Sequence, residues 1–279
     1  MKHLLCFGFG FSAQALAHQL DSNDWRVTGT SRSHEGVAAI NAQGFEGLLF
    51  NELLSIPKSV THIVTSIPPS NDGDPVLMRF GGELEKRAGS FAWVAYLSTT
   101  GVYGDRGGAW VNEESALQPN TDRGTRRVAA EAEWQSIAGL PLHIFRFAGI
   151  YGPGRNAFES LKSGKAQRVI KRGQIFSRIH VEDIAGALLA SINNPNPGRI
   201  YNLADDEPCP PQDVIAYAAE LLGMEPPPEI AFEDAKLSKM AKSFYADSKR
   251  VSNARIKYEL GYKLKYPNYR VGLKSLLKA

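Results

Sequence analysis

Two glycines with one residue between them, Gly8 and Gly10, follow a short apolar run at the start of the chain. Phe11 and Ser12 follow, and from Gln14 to Leu20 the apolar residues recur at helical spacing, which indicates a strand, a tight turn and a helix. Gly8 permits the sharp turn and Gly10 lets the backbone come close to a pyrophosphate, while the unpaired N–H groups at the start of the helix face the phosphates. The passage therefore predicts a dinucleotide-binding turn in which all four residues contact the ligand. The alternative is a plain glycine turn without a ligand.

A second group of candidate contacts follows the next predicted strand, residues 25–30. The turn there offers the hydroxyls of Ser31 and Ser33 and the guanidinium of Arg32. In a dinucleotide fold this turn meets the adenosine ribose, where an acidic side chain would repel a 2′-phosphate and these three side chains suit one. We therefore expect Ser31 and Arg32 to select NADP over NAD. Arg32 is otherwise an ordinary solvated arginine, and the nearby Glu35 complicates the assignment.

Apolar runs at 45–50 and 60–67 continue the alternation of strands with crossover segments. Such alternation predicts an α/β fold, a doubly wound parallel Rossmann sheet with helices on both faces. Ligands of these sheets bind beyond the carboxyl ends of the strands. Asn51, Ser66 and Pro68 stand at such ends and are predicted cofactor contacts, although residues of these types are also common in turns.

Three hydroxyl residues, 98–100, follow the apolar run 92–97. At the tip of a central parallel strand, a hydroxyl can hydrogen-bond a substrate oxygen while a hydride moves to or from a nicotinamide ring. Tyr103 and Tyr151 also follow predicted strand ends on the same side, and either is a candidate proton donor. Tyrosines at such positions are more often packing residues with one hydrogen bond, so the alternative is a structural role for both.

The hydroxyl passage and four others resemble the extended branch of the short-chain dehydrogenase/reductase family, the NAD-dependent epimerase/dehydratases. The passages that carry the resemblance are 98–105, 145–155, 178–185, 198–203 and 248–253. Together they are spread from residue 98 to residue 253 of the chain. The resemblance implies a Rossmann fold, a nicotinamide dinucleotide cofactor and a catalytic hydroxyl at Thr99.

One helix departs from the family pattern. Redox-active members carry a tyrosine and, four residues later, a lysine; in that register Arg123 replaces the tyrosine and Arg127 replaces the lysine. The family's lysine holds the nicotinamide ribose and lowers the phenol's pKa, so that the phenolate exchanges the proton. An arginine stays protonated at any working pH, so Arg123 cannot act as general acid or base, whereas Arg127 can still hold a ribose or a phosphate. The resemblance therefore implies an atypical member that keeps the cofactor scaffold and lacks the usual proton donor.

Charge and composition limit the classes of partner. The 279 residues include 32 basic and 29 acidic ones, and no basic tract favours nucleic acid or an anionic membrane. No stretch approaches the roughly 20 apolar residues that span a bilayer. Cys6 and Cys209 are too far apart in sequence to suggest a metal site, so none is predicted. We expect a cytoplasmic protein with a small-molecule ligand, and the resemblance allows a homodimer.

We predict a Rossmann domain at 1–150, to which 180–205 returns, and a smaller substrate-side region at 151–279. Two functions are compatible with the sequence. The first is an NADP-dependent oxidoreductase or epimerase acting on a small carbonyl or sugar-like substrate. The second is a non-catalytic NADP(H)-binding sensor or regulatory protein. Family membership does not by itself transfer a reaction.

Overall fold

The computed structural model describes residues 1–277 and alternates strands with helices along the chain. The strands are β1 (Lys2–Phe7), β2 (Trp25–Ser31), β3 (Glu46–Leu49), β4 (His62–Thr65), β5 (Trp93–Thr99), β6 (Trp110–Val111), β7 (Leu142–Phe147), β8 (Gly149–Tyr151), β9 (Arg168–Ile170), β10 (Arg178–His180), β11 (Ile200–Leu203), β12 (Glu229–Ala231) and β13 (Arg250–Val251). The α-helices are α1 (Phe11–Ala17), α2 (His34–Asn41), α3 (Pro75–Lys86), α4 (Asp122–Gln135), α5 (Ala157–Lys162), α6 (Val181–Asn193), α7 (Pro211–Leu221), α8 (Lys239–Tyr245), α9 (Ala254–Glu259) and α10 (Tyr269–Leu276).

Seven strands form one parallel sheet in the order β11-β7-β5-β4-β1-β2-β3. Strand β1 pairs in parallel with β2 on one side and with β4 on the other. The strand order reverses between β1 and β4, because the chain passes from β1 to β2 and β3 before it crosses back. Ligands of doubly wound sheets bind beyond the strand ends at such a reversal. The predicted doubly wound Rossmann sheet is confirmed, and the reversal places the glycine turn after β1 at the expected point.

Helix α3 shows how the sequence builds one layer against the sheet. Pro75 is its first residue, and the Asp74 carboxylate caps it by accepting hydrogen bonds from the N–H groups of the first turn. Val76, Phe80 and Leu84 recur at intervals of four, so they share one face, and all three are buried. This face joins the apolar core on one side of the sheet, together with residues of β1, β4, β5 and α4.

The chain divides into two compact units. Unit 1 comprises Met1–Thr99, Thr125–Arg146 and Ile184–Tyr201, and unit 2 comprises Thr100–Gly124, Phe147–Asp183 and the chain from Asn202 onward. The division differs from the expected one, because residues 100–124 belong to unit 2 and not to the first region. In unit 2 this segment pairs with a distant part of the chain, with Trp110 opposite Arg250 and Val111 opposite Val251. Two-residue strands carry no sequence pattern that predicts such pairing.

Unit 2 has its own apolar core, formed mainly by α5, α7 and α10. Its last segment is tied to the start of α6, where the Asp183 carboxylate accepts hydrogen bonds from the Lys265 and Tyr266 N–H groups and from the Tyr262 hydroxyl. Among residues 1–277, no helix is both long and apolar enough to cross a bilayer. The same part of the chain contains no group of three His, Cys, Asp or Glu side chains able to hold a metal ion.

Candidate functional site

A cavity of about 810 Å³ opens in unit 1 beyond the ends of β1, β2, β3 and β4. Seven of the ten residues predicted to bind a cofactor line it: Gly8, Gly10, Ser31, Arg32, Asn51, Ser66 and Pro68. Phe11 and Ser12 form the first turn of α1 and are not lining residues. Arg127 on α4 is not a lining residue either. Seven of the predicted contacts are thus brought together around one cavity, and their role in binding stays a prediction.

The turn after β1 requires glycine at its first position. Gly8 has a φ of +81°, and a Cβ atom there would lie 2.8 Å from Ser66 Oγ. Its N–H donates to Thr30 Oγ1 at 2.9 Å, and its carbonyl accepts from Ser66 Oγ at 3.0 Å. The turn is thus bonded to the ends of both neighbouring strands, β2 and β4. A residue with a side chain would meet both a strained backbone conformation and an occupied position.

The second glycine of the turn has a different role. Gly10 precedes α1 with a φ of −86°, which other residues also adopt. A Cβ atom built at Gly10 would meet nothing within 4 Å. The backbone of the protein therefore does not require glycine here, but the absent side chain leaves the cavity open beside the turn. Close approach of a ligand to the backbone is the remaining physical reason for a glycine at this position.

The turn after β2 leaves one cation available to a ligand. Ser33 Oγ caps α2 by accepting the Gly36 N–H at 3.1 Å, and Ser31 Oγ accepts the Ser33 N–H at 3.3 Å. Arg32 is exposed at the edge of the cavity and, within residues 1–277, has no hydrogen-bond or ion-pair partner. Within residues 1–277, the cavity thus offers an open backbone position at Gly10 and a guanidinium without a partner, which fits a dinucleotide ligand.

A buried ion pair between Glu131 and Arg146 holds the end of β5, which carries Thr99. The sequence analysis did not identify this pair. Glu131 on α4 accepts a hydrogen bond from Ser98 Oγ at 2.5 Å and pairs with Arg146 Nη2 at 2.6 Å. All three side chains are buried. A buried carboxylate is tolerated when it is both paired and hydrogen-bonded, as here. Thr99 itself is half-buried. The sequence did carry one indication of this pair, because Arg146 interrupts the apolar residues of β7 and a buried arginine needs a partner.

Arg127, at the position of the family's lysine, also supports β5. Its Nη1 donates to the Tyr96 hydroxyl and to the Leu97 carbonyl, both at 2.9 Å. Tyr96 is fully buried, and this burial raises the pKa of its hydroxyl, an effect that the Arg127 charge opposes. One guanidinium nitrogen of Arg127 is therefore committed to the strand that ends at Thr99.

The remaining predicted residues lie in unit 2. Arg123 is exposed in the first turn of α4, and its guanidinium carbon lies 5.1 Å from the centre of the Phe244 ring. Tyr103 has no exposed surface, and its hydroxyl donates to Asn202 Oδ1 at 2.7 Å. The hypothesis that Tyr103 donates a proton is therefore not supported, because a fully buried, hydrogen-bonded phenol cannot meet a ligand. Tyr151 is also buried, and burial raises the pKa of its hydroxyl.

Comparison with known proteins gives relatives over the full length. No family model matches the chain. Protein YeeZ of Escherichia coli strain K12 is 30% identical over 96% of this chain and 97% of its own length, and the 3-diazoavenalumate denitrifying reductase of Streptomyces sp is 26% identical over 88% and 89%. A functionally unknown conserved protein from Silicibacter pomeroyi DSS has a structure with 54% identity and a TM-score of 0.96, covering 100% of this chain and 99% of that one.

A solved putative NAD-dependent epimerase/dehydratase from Methylobacillus flagellatus is 26% identical, with a TM-score of 0.74 and coverage of 99% and 97%. These similarities extend over both units, and the seven-stranded parallel sheet matches the fold of the epimerase/dehydratase structure. The chain belongs to the extended short-chain dehydrogenase/reductase family, the NAD-dependent epimerase/dehydratases.

Proposed function

We propose that this protein binds NADP(H) in the unit 1 cavity and catalyses an oxidoreduction or epimerisation of a small carbonyl or sugar-like substrate. One observation carries the cofactor assignment: the open position at Gly10 and the unpartnered guanidinium of Arg32 line the same cavity. A dinucleotide with a 2′-phosphate has one anionic group for each of these positions.

The residues of the cavity have separate tasks in this proposal. Gly8 and Gly10 let the backbone approach the pyrophosphate, with Phe11 and Ser12 at the start of the following helix. Ser31 and Arg32 hold the 2′-phosphate by charge-assisted hydrogen bonds. Asn51, Ser66 and Pro68 form the rest of the wall. When bound, the cofactor supplies or accepts a hydride.

On the substrate side, Thr99 donates a hydrogen bond to the substrate oxygen on which charge changes. Arg127 and the buried Glu131–Arg146 pair keep the strand that carries Thr99 in place. Arg123 cannot exchange a proton and is proposed to neutralise an anionic group of the ligand. The word reductase in the name of the Streptomyces relative supports reduction over epimerisation.

A second candidate function is a non-catalytic NADP(H)-binding sensor. The Arg127 contacts favour it, because a side chain at the lysine position is bonded to Tyr96 and Leu97 of its own protein. The burial of Tyr103 also favours it, because this removes one replacement for the family's proton donor. In this alternative the cofactor cradle is retained and the groups for proton transfer are lost.

Titration of the purified protein with NADPH and with NADH tests the cofactor assignment. NADPH should bind at least about tenfold more tightly, about 1.4 kcal/mol, and Arg32→Ala should remove most of that difference. Equal affinities for the two cofactors would contradict the assignment. A screen of aldehydes, ketones and nucleotide sugars for loss of NADPH absorbance then separates the two candidates, since the sensor binds without turnover.

A further inference from the structure

The segment Asn51–Leu53, which follows β3, is held by one side chain from a distant helix. Arg79 on α3 donates from Nη2 to the Asn51 carbonyl at 2.8 Å. It also donates to the Leu53 carbonyl, from Nε at 3.1 Å and from Nη2 at 2.9 Å. A planar guanidinium presents several N–H groups in a fixed fork, so one side chain can bind two carbonyls at once.

The same guanidinium lies over two aromatic rings. Its central carbon is 5.5 Å from the centre of the Phe80 ring and 6.0 Å from that of Phe50. The Phe50 ring is in turn packed edge-on against Phe7 and Phe80. A cation within about 6 Å of an aromatic face is attracted to it. Arg79 therefore fixes the Phe50 ring as well as the backbone that follows it.

Phe50 and Asn51 line the proposed cofactor cavity, whereas Arg79 does not. They stand at the end of β3, on the outer side of β2. If the pyrophosphate lies at the turn after β1 and the ribose phosphate at Arg32, the adenosine half occupies this side of the cavity. The Phe50 N–H donates to the Ser31 carbonyl at 2.8 Å, so β2 holds the chain at Phe50, directly before the segment. Beyond that residue, the Asn51 and Leu53 carbonyls are held by Arg79.

We propose that Arg79 is a positioning residue that shapes the adenine end of the cavity by holding Phe50 and Asn51. This inference rests on the proposed dinucleotide function and assigns a role to a residue outside the cavity. Because Arg79 acts through other residues, its removal should weaken the binding of adenosine-containing ligands without preventing the protein from folding.

The same helix offers a matched control. Arg87, directly after α3, donates to the Ile56 carbonyl at 2.6 Å and to the Pro57 carbonyl at 3.3 Å, and its guanidinium carbon lies 5.1 Å from the centre of the Phe91 ring. Like Arg79, it holds two backbone carbonyls and lies over an aromatic ring; it also pairs with the Glu83 carboxylate at 2.8 Å. None of these partner residues lines the cavity. Arg87→Ala therefore removes a comparable set of contacts at the end of the same helix, away from the cavity.

The experiment measures dissociation constants for NADPH and for adenosine 2′,5′-bisphosphate by calorimetry. We expect Arg79→Ala to raise both dissociation constants about tenfold. Arg87→Ala should leave both within twofold of the wild-type values. Millimolar guanidinium ion should restore part of the affinity of Arg79→Ala, because it can occupy the vacated position. Hydrogen exchange of residues 51–54 in the ligand-free protein should be faster in Arg79→Ala than in wild type.

Affinities of Arg79→Ala within twofold of wild type, or an equal loss in Arg87→Ala, would overturn the positioning role. Unchanged exchange of residues 51–54 in Arg79→Ala would overturn it as well, without reference to any ligand. A wild-type protein that binds neither ligand contradicts the dinucleotide proposal itself, and the positioning role fails with it. The wild-type titration therefore distinguishes failure of the function from failure of the inference.

Discussion

Arg127 on α4 donates a hydrogen bond to the buried hydroxyl of Tyr96 on β5 over 2.9 Å. The resemblance to the family implies that a residue at this position holds the nicotinamide ribose. The structure adds a second task, because the Tyr96 hydroxyl would lose this partner if Arg127 were removed. A buried polar group without a partner costs more than the net value of the bond it has lost.

Arg127→Ala should therefore lower the free energy of unfolding by about 1 to 3 kcal/mol. The variant loses a hydrogen bond from a charged donor and leaves the buried Tyr96 hydroxyl without this partner. Tyr96→Phe removes the hydroxyl that would be orphaned, so the double variant should lose less than the sum of the single losses. Urea unfolding of the four proteins gives this coupling directly. Strictly additive losses would show that the Arg127–Tyr96 bond does not stabilise the fold.

The two glycines of the first turn should respond differently to substitution. Gly10→Val should keep the stability of the wild type, since a side chain there meets open space, and should abolish NADPH binding by filling the position of the pyrophosphate. Gly8→Ala should lower the melting temperature, because it combines a φ of +81° with a contact of 2.8 Å to Ser66 Oγ. Thermal unfolding and NADPH titration of both variants check this contrast. Normal NADPH binding by Gly10→Val would place the cofactor elsewhere.

Asp205 predicts a pH dependence of stability. Burial raises the pKa of this carboxyl to about 8, against an opposing effect of the Arg178 charge. In the unfolded chain an aspartate titrates near 3.9, so between these values the folded state binds more protons than the unfolded state. The stability contribution of protonated Asp205 is therefore lost as the pH rises from about 4 to about 8, by up to about 1.4 kcal/mol per pH unit.

Asp205→Asn should remove this slope, so the variant should gain stability relative to wild type as the pH rises towards 8. Urea unfolding at several pH values measures the difference. Comparison of the two proteins is needed because burial also lowers the pKa of His62, His143 and His180 to about 4, which adds stability as the pH rises through the ordinary histidine range. Asp234→Asn, at an exposed carboxylate, is the control and should follow wild type. Parallel curves for Asp205→Asn and wild type would contradict the assignment.

The residues that sequence patterns brought to the candidate site are local in the chain. The turn with Gly8 and Gly10, and the strand end at Arg32, each depend on a few consecutive residues. Two side-chain contacts near the predicted residues are not local. The Ser98 hydroxyl on β5 donates to Glu131, 33 residues away, and within unit 2 the Tyr103 hydroxyl donates to Asn202, 99 residues away. Tyr103 follows a strand end in the sequence, but only the packed structure shows that its hydroxyl is buried.

Element boundaries show the same limit. The apolar run 60–67 predicts a strand of eight residues, whereas β4 spans His62–Thr65. These four residues are the ones that pair with Leu4–Phe7 of β1 and with Trp93–Tyr96 of β5. The paired length depends on the register between two strands, and the sequence of one strand alone does not determine that register.

The last prediction restores the family's pair on α4. Arg123→Tyr combined with Arg127→Lys places a phenol one helical turn from a lysine, which regains the pKa tuning that proton transfer near neutral pH requires. If the wild type is a sensor, it should reduce no carbonyl in the screen, and the double variant should gain slow NADPH oxidation. Arg123→Phe with Arg127→Lys is the matched control, since it has the ring without the hydroxyl and should stay inactive. Melting temperatures of both variants account for the lost contacts of Arg127 with Tyr96 and of Arg123 with Phe244. Strong wild-type turnover that survives Arg123→Ala would instead rule out the sensor and show that another group supplies the proton.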